Sequence, residues 1–282
     1  MSATRRRLDQ ELVRRGLAAT RQQAQDAVEA GRVLVAGARA DKASRLVGTD
    51  QAVVIVGPPP RFVSRGGEKL DAALDRFGVD VTGRRAVDAG ASTGGFTDCL
   101  LQRGVSHVYA VDVGHGQLDV RLRHDARVSV LERTNVRDLT VDRLGALTGE
   151  EPDPVHLVTA DLSFISLATV ASPLVGLVVD EGGDLVVLVK PQFEAGRADV
   201  SRGKGVVRDP ALWRGALDRV LCALFDAGTG IMGVMASPLV GHSGNAEFLV
   251  HAVTGTGRRT ATVPADQVDA AVADAIAATG GR

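Results

Sequence analysis

Four apolar runs in this chain each end on a charged residue: Ala86-Val87-Asp88, Val108-Tyr109-Ala110-Val111-Asp112, Leu157-Val158-Thr159-Ala160-Asp161 and Leu185-Val186-Val187-Leu188-Val189-Lys190. A continuous apolar run suits a strand covered on both faces, and open parallel sheets place their ligands at the C-terminal ends of such strands. The runs therefore predict an α/β domain with Asp88, Asp112, Asp161 and Lys190 along one sheet edge. Val128-Ser129-Val130-Leu131 adds a strand before Asn135. Ile231–Met235 and Ala246–Val253 are expected to close the sheet. Glu247 enters that last strand and joins the other charged tips if the strand turns back antiparallel.

The first run continues as Ala89-Gly90-Ala91-Ser92-Thr93-Gly94-Gly95-Phe96-Thr97-Asp98, and from Phe96 the apolar residues recur at helical spacing. Strand, tight turn and helix follow one another. Glycines let the backbone approach a bound molecule, and free amides at the helix start favour a polar or anionic group. Such a turn also serves as a plain connection in many α/β domains. Asp112 sharpens the reading, because it falls at the interval expected of a carboxylate that grips a ribose diol. Asn135 offers a donor and an acceptor to a flat heterocycle.

Charge divides the chain unevenly. The formal net charge is −1, yet residues 1–65 hold twelve Lys or Arg against six Asp or Glu. A basic head precedes a mildly acidic body, which points the head at nucleic acid or another acidic surface. Within it, Leu8, Leu12, Val13 and Leu17 mark one short helix, and Thr20 caps a second with Gln23 at the capping-box position. Val33 and Val35 alternate into a strand, Gly37 begins a turn, and residues 50–56 read as another strand. This order resembles the S4-like RNA-binding domain over residues 5–57. The resemblance makes Arg6, Arg7, Arg14, Arg15, Arg21, Arg39 and Lys42 phosphate contacts, which supply salt-dependent affinity more than sequence choice. Pro58-Pro59-Pro60 is a stiff spacer. The expected division is a head over residues 1–57, a linker over 58–64 and a large domain over 65–282.

Cys99 and Cys222 lie far apart, and the six histidines form no metal-like cluster in sequence. No metal is expected. Leu8-Asp9-Gln10-Glu11 interrupts any signal-peptide core after the opening arginines, and Asp180, Glu181 and Asp184 break the longest apolar stretch. The expectation is a cytoplasmic protein with no membrane partner and no obligate protein partner. Ala195–Val207, rich in Gly, Arg and Lys, is expected to be a mobile loop before a helix over Leu212–Phe225.

Five motifs carry a wider resemblance: Ser64-Arg65-Gly66-Gly67-x-Lys69-Leu70, the glycine turn from Asp88 to Asp98, Asp161-Leu162-Ser163-Phe164-Ile165-Ser166, Val189-Lys190-Pro191-Gln192-Phe193-Glu194 and Gly244-Asn245-x-Glu247-Phe248. Together they resemble the FtsJ-like Rossmann methyltransferases, and specifically the two-domain TlyA family of ribosomal RNA 2′-O-methyltransferases, over nearly the whole chain. The resemblance implies a Rossmann-like sheet behind a small α+β S4-like domain. It also implies S-adenosyl-L-methionine as methyl donor and cytidines of 16S or 23S ribosomal RNA, within 30S or 50S subunits, as targets. The family's Lys-Asp-Lys-Glu tetrad maps onto Lys69, Asp161, Lys190 and Glu247, with Lys190 as the base or as the group orienting the hydroxyl. The cofactor would rest on Asp88, Gly90, Ser92, Thr93, Gly94, Gly95, Phe96, Asp112, Asn135 (where related enzymes often have Asp) and Asp161. Arg65 joins the implied RNA contacts. Some members of the family are called haemolysins, a reading to which the broken apolar stretches lend little support.

Overall fold

The computed structural model describes residues 5–18, 20–151, 153–196, 203, 205–241, 244–255 and 262–280. The chain divides into two compact units, Met1–Arg65 and Gly66–Arg282.

In the first unit, β1 (Arg5–Arg7) leads into the helix Leu8–Arg14, which ends where Gly16 takes a positive φ of 70°. The helix Arg21–Glu29 follows, and Thr20 caps it by accepting the Gln23 amide at 3.1 Å. Next come β2 (Val33–Val35), β3 (Ala38–Arg39), β4 (Leu46–Gly48) and β5 (Val53–Ile55). Between β2 and β3, Ala36 and Gly37 both take positive φ, the conformation of a two-residue hairpin turn. β2 lies between β3 and β5, all antiparallel. Leu8, Leu12, Ala24, Val28, Val33, Val35 and Val47 form the core of this unit. One pairing is absent from the sequence reading: β1 runs antiparallel to β4, with Arg5 opposite Gly48. Three consecutive arginines show no alternation, so only the distant partner reveals the strand.

The second unit holds a seven-stranded sheet. Its strands are β6 (Arg85–Ala89), β7 (His107–Val111), β8 (Val128–Leu131), β9 (Leu157–Ala160), β10 (Asp184–Val189), β11 (Thr229–Ala236) and β12 (Phe248–Thr254), in the spatial order β11-β12-β10-β9-β6-β7-β8. The five strands from β8 to β10 are mutually parallel, and β12 is antiparallel to both its neighbours. β9 and β10 are buried along their whole length, as strands covered on both faces must be. Because β7 lies on one side of β6 and β9 on the other, strand order reverses at β6. Ligands of open α/β sheets bind outside the C-terminal ends of the strands at such a switch point. The helices Gly66–Phe77, Gly95–Gln102, Leu167–Val175, Pro210–Asp226 and Ala265–Thr279 belong to the same unit. The expected loop over Ala195–Val207 falls largely on residues 197–202 and 204, outside the described residues.

Candidate active site

A cleft of about 560 Å³ opens at the reversal point, lined among others by Gly90, Ser92, Asp112, Asn135, Asp161 and Phe164. Gly90 takes a φ of +85°, and a Cβ there would come within 2.6 Å of the Asp161 carbonyl oxygen, so only glycine lets the two loops meet. Asp112 accepts the Ser92 amide at 2.8 Å through one carboxylate oxygen and the Gly114 amide at 2.6 Å through the other. A carboxylate has about four acceptor positions, so capacity remains for two ribose hydroxyls. Asn135 caps the short helical turn Val136–Asp138 by accepting the Arg137 amide at 3.1 Å, which leaves its side-chain NH₂ to a ligand. Val111, Val113, Leu162 and Ile165 supply apolar wall.

The remaining cofactor candidates lie outside the cleft lining. Thr93 is partly buried, and Gly94, Gly95 and Phe96 are buried. At Gly94, which has a φ of +97°, an added Cβ would collide with Leu122 and Leu118. The packing of Leu118 and Leu122 is enough to reserve that position for glycine. Asp88 is wholly buried and accepts from the hydroxyls of Thr97 at 2.7 Å and Thr159 at 3.3 Å, so it ties the helix Gly95–Gln102 to the sheet from beneath.

Burial pushes the Asp88 carboxyl up to about 7 against the Thr97 hydrogen bond, with the charge of Asp161 adding to the rise. An unfolded Asp ionises near 3.8. Between these values the folded chain keeps a proton that the unfolded chain has lost, so the contribution of Asp88 to stability declines as pH rises through that window. Asp88→Asn removes the titration. The melting temperature of the variant, relative to the parent, is expected to climb from pH 4 to pH 7; a pH-independent difference would show that Asp88 titrates normally.

The four tetrad candidates form two ion pairs. Lys190 Nζ lies 2.6 Å from Asp161 Oδ1 and donates to Ser163 Oγ at 3.1 Å. Lys69, on the helix Gly66–Phe77, donates to Glu247 at 2.5 Å, with both side chains almost wholly buried. Register explains how Glu247 arrives: Phe248 pairs with Val189, so Glu247 precedes β12 where Lys190 follows β10. The backbone of Gly241 packs on the Glu247 carboxylate so closely that a Cβ would lie 2.6 Å from Oε1. Asp161 Oδ1 is buried and has no hydrogen bond of good geometry despite its charge contact with Lys190. The charge of Lys190 offsets the cost of burying that oxygen.

Three features carry no assigned role in the sequence reading. Phe164 is 92% exposed with a φ of +64°, and its ring lies 5.3 Å from that of Phe193. Ser163 partners Lys190. Glu132, just past β8, binds the Gly116 amide at 2.8 Å, His115 at 2.6 Å and the Arg123 guanidinium, so it pins the loop that carries Gly114 and Gln117 into the cleft wall. The Arg123 contact, against burial, holds the Glu132 carboxyl down at about 2. An acid closing a strand is the pattern already read at Asp112, and it marks Glu132 equally.

The arginines of the first unit separate into two groups. Asp9 and Glu11 are wholly buried; Arg7, Arg21 and Gln25 bind Asp9, and Arg14 and Arg15 bind Glu11. The Arg14 bond, with that of Arg15 and against burial, brings the Glu11 carboxyl down to about 2. Arg15 also donates to the carbonyls of Gln51, Gly48 and Thr49, and Arg65 pairs with Glu29 at 3.0 Å and Asp26 at 3.5 Å. Arg6, Arg39 and Lys42 are exposed, and no ion pair ties them among the described residues.

The FtsJ-like methyltransferase family matches residues 62–254, and the S4 domain matches residues 6–53. The 16S/23S rRNA (cytidine-2'-O)-methyltransferase TlyA of Mycobacterium tuberculosis is 50% identical over 257 residues, covering 91% of this chain and 92% of that protein. Hemolysin A of Brachyspira hyodysenteriae is 39% identical over 87% of this chain and 98% of its own length. A solved structure from Streptococcus thermophilus, also bearing the hemolysin label, is 36% identical with a TM-score of 0.76 and covers 99% of this chain and 98% of its own. Among the described residues no helix is long and apolar enough to cross a membrane, and no group of three His, Cys, Asp or Glu could hold a metal ion.

Proposed function

The chain belongs to the TlyA group of the FtsJ-like methyltransferases, and on that premise we propose that it methylates the ribose 2′-hydroxyl of cytidines in 16S or 23S ribosomal RNA, using S-adenosyl-L-methionine. The observation that carries the reading is the contact of Lys190 with Asp161, because Asp161 lines the cleft and Lys190 stands at its edge. The side chains of the cleft fit the cofactor. Asp112 takes the ribose diol, Asn135 the adenine, and Asp161, through the carboxylate oxygen that does not face Lys190, the ammonium of the methionine part. When bound, the cofactor supplies an electrophilic methyl group on a positively charged sulfur.

A ribose hydroxyl is a weak nucleophile, so the protein must hold the oxygen in line and assist the departure of its proton. Lys190 performs this task. Asp161 and Ser163 hold its nitrogen at the cleft edge, where as an amine it takes the hydroxyl proton while the oxygen bonds the methyl, becoming an ammonium that the Asp161 carboxylate stabilises. The Lys69–Glu247 pair secures the neighbouring strand end and acts through position. Phe164 offers an exposed aromatic face on which a base can stack. Transfer of radiolabelled methyl from S-adenosyl-L-methionine to purified 30S or 50S subunits, with the label mapped to a 2′-oxygen, tests the reading. Absence of transfer to either subunit and to free ribosomal RNA would defeat it.

The first unit supplies RNA affinity through Arg6, Arg39 and Lys42, three exposed cations without a carboxylate pair among the described residues. Changing these three to Glu is expected to weaken subunit binding and to flatten its dependence on salt, by roughly 0.7–0.9 in log–log slope for each phosphate no longer neutralised. Arg15→Ala should instead lower the melting temperature, since Arg15 holds Glu11 and three carbonyls. An unchanged slope in the triple variant, read from binding across a salt series, would move the RNA face elsewhere.

A further inference from the structure

We propose that Glu194 is a positioning residue for methyl transfer: it fastens the far end of the loop 161–166 to the short helix that follows Lys190, and so fixes the geometry of the Lys190–Asp161 pair. The inference rests on the methyl-transfer reading above. The loop begins at Asp161, at the end of β9, and finishes at Ser166, the residue before the helix Leu167–Val175. Ser166 does not cap its own helix. Its hydroxyl donates to Glu194 Oε2 at 2.6 Å, and the Leu167 amide donates to Glu194 Oε1 at 2.6 Å. A carboxylate from another element therefore satisfies the amide end of this helix, where negative charge is favoured. Arg219 donates to the Glu194 carbonyl at 2.9 Å and anchors the residue from behind.

At the near end, Lys190 holds Asp161 and Ser163; between the two ends the rings of Phe193 and Phe164 meet. Residues 161–166 are thus fastened to residues 190–194 along their length. The middle of the loop has no slack, and Phe164 stands out at 92% exposure in the left-handed region of backbone space. A phenylalanine in that conformation is strained and persists only where its surroundings hold it. Glu194 provides that restraint without lining the cleft itself. Its removal frees the loop at Ser166 while the cofactor contacts of Gly90, Asp112 and Asn135 stay in place.

The test compares the parent chain with Glu194→Ala, Glu194→Gln and Ser166→Ala in single-turnover methyl transfer to purified 30S and 50S subunits, with S-adenosyl-L-methionine affinity from calorimetry. Glu194→Ala is expected to slow transfer by about 10- to 100-fold, the range that misplacement of a reacting group produces, with cofactor affinity lowered far less than the rate, because Gly90, Asp112 and Asn135 lie on other loops. Glu194→Gln should recover most of the rate, because its amide oxygen can accept from Leu167 while the Ser166 hydroxyl turns to accept from the amide NH₂. Ser166→Ala, which removes one bond of the two, should give an intermediate loss, and it decides the matter if Glu194→Ala does not fold. A parental rate in Glu194→Ala and Ser166→Ala overturns the proposal. So does a loss in Glu194→Ala that is matched by a fall in cofactor affinity and not rescued by Gln, which would mark a merely structural residue. Failure of the parent chain to transfer methyl would defeat the reading beneath it instead.

Discussion

Replacing Lys190 with alanine is expected to slow methyl transfer by about 10²–10⁴-fold at saturating cofactor and RNA, the range that a group positioned for proton transfer supplies. Lys190 stands at the end of β10, whose six residues are all buried, so its backbone has little freedom. Pro191 then begins the next helix, and Asp161 and Ser163 hold the nitrogen. Nothing in the hydrophobic core depends on the side chain, so the variant should fold and bind cofactor. Single-turnover kinetics on purified subunits provides the check. A near-parental rate would remove Lys190 from the chemistry and leave the cleft without an evident partner for the ribose hydroxyl.

Asp112→Ala should weaken S-adenosyl-L-methionine binding by roughly 10- to 100-fold. A hydrogen bond to an ionised group contributes about 1.5–3 kcal/mol, and 1.4 kcal/mol is tenfold in affinity. The change removes the acceptor for the ribose diol. It also frees the Ser92 and Gly114 amides, so the two loops that Asp112 joins lose their common anchor. Calorimetry on the folded variant measures the effect directly. Unchanged affinity would show that the nucleoside lies elsewhere along the sheet edge.

Local patterns made the sheet legible, and interactions across the fold decided the rest. An apolar run closed by a charge is visible within six residues, which is why Asp112, Asp161 and Lys190 could be placed at the sheet edge in advance. A glycine, by contrast, does not announce which neighbour requires the missing Cβ. Gly90 yields to the Asp161 backbone beside the cleft, whereas Gly94 yields to Leu122 and Leu118 behind it. Asp88 has the same ambiguity, since one acidic letter serves a ligand or a buried hydroxyl equally well. Charge counting overstated the basic surface of the first unit, because the two acids that bind four of its arginines are themselves buried. Glu194 stands within a legible motif, yet its purpose depends on donors 27 and 28 residues away.

The position of β12 has a consequence for how such a chain comes into being. This strand pairs with β10 on one side and β11 on the other, both of which precede it in sequence, so β11 joins the sheet only through β12. β12 reaches β10 either alone or already paired with β11. Until it does, β10 offers an open edge of entirely apolar-facing backbone, and Lys69 waits for a partner 178 residues downstream. Pairings of such long range form slowly, and unpaired edges invite association with other chains. Glu247 and the strand it leads therefore act as a closing pin: until β12 pairs with β10, that edge stays open to other chains and Lys69 has no carboxylate from the strand end beside Lys190.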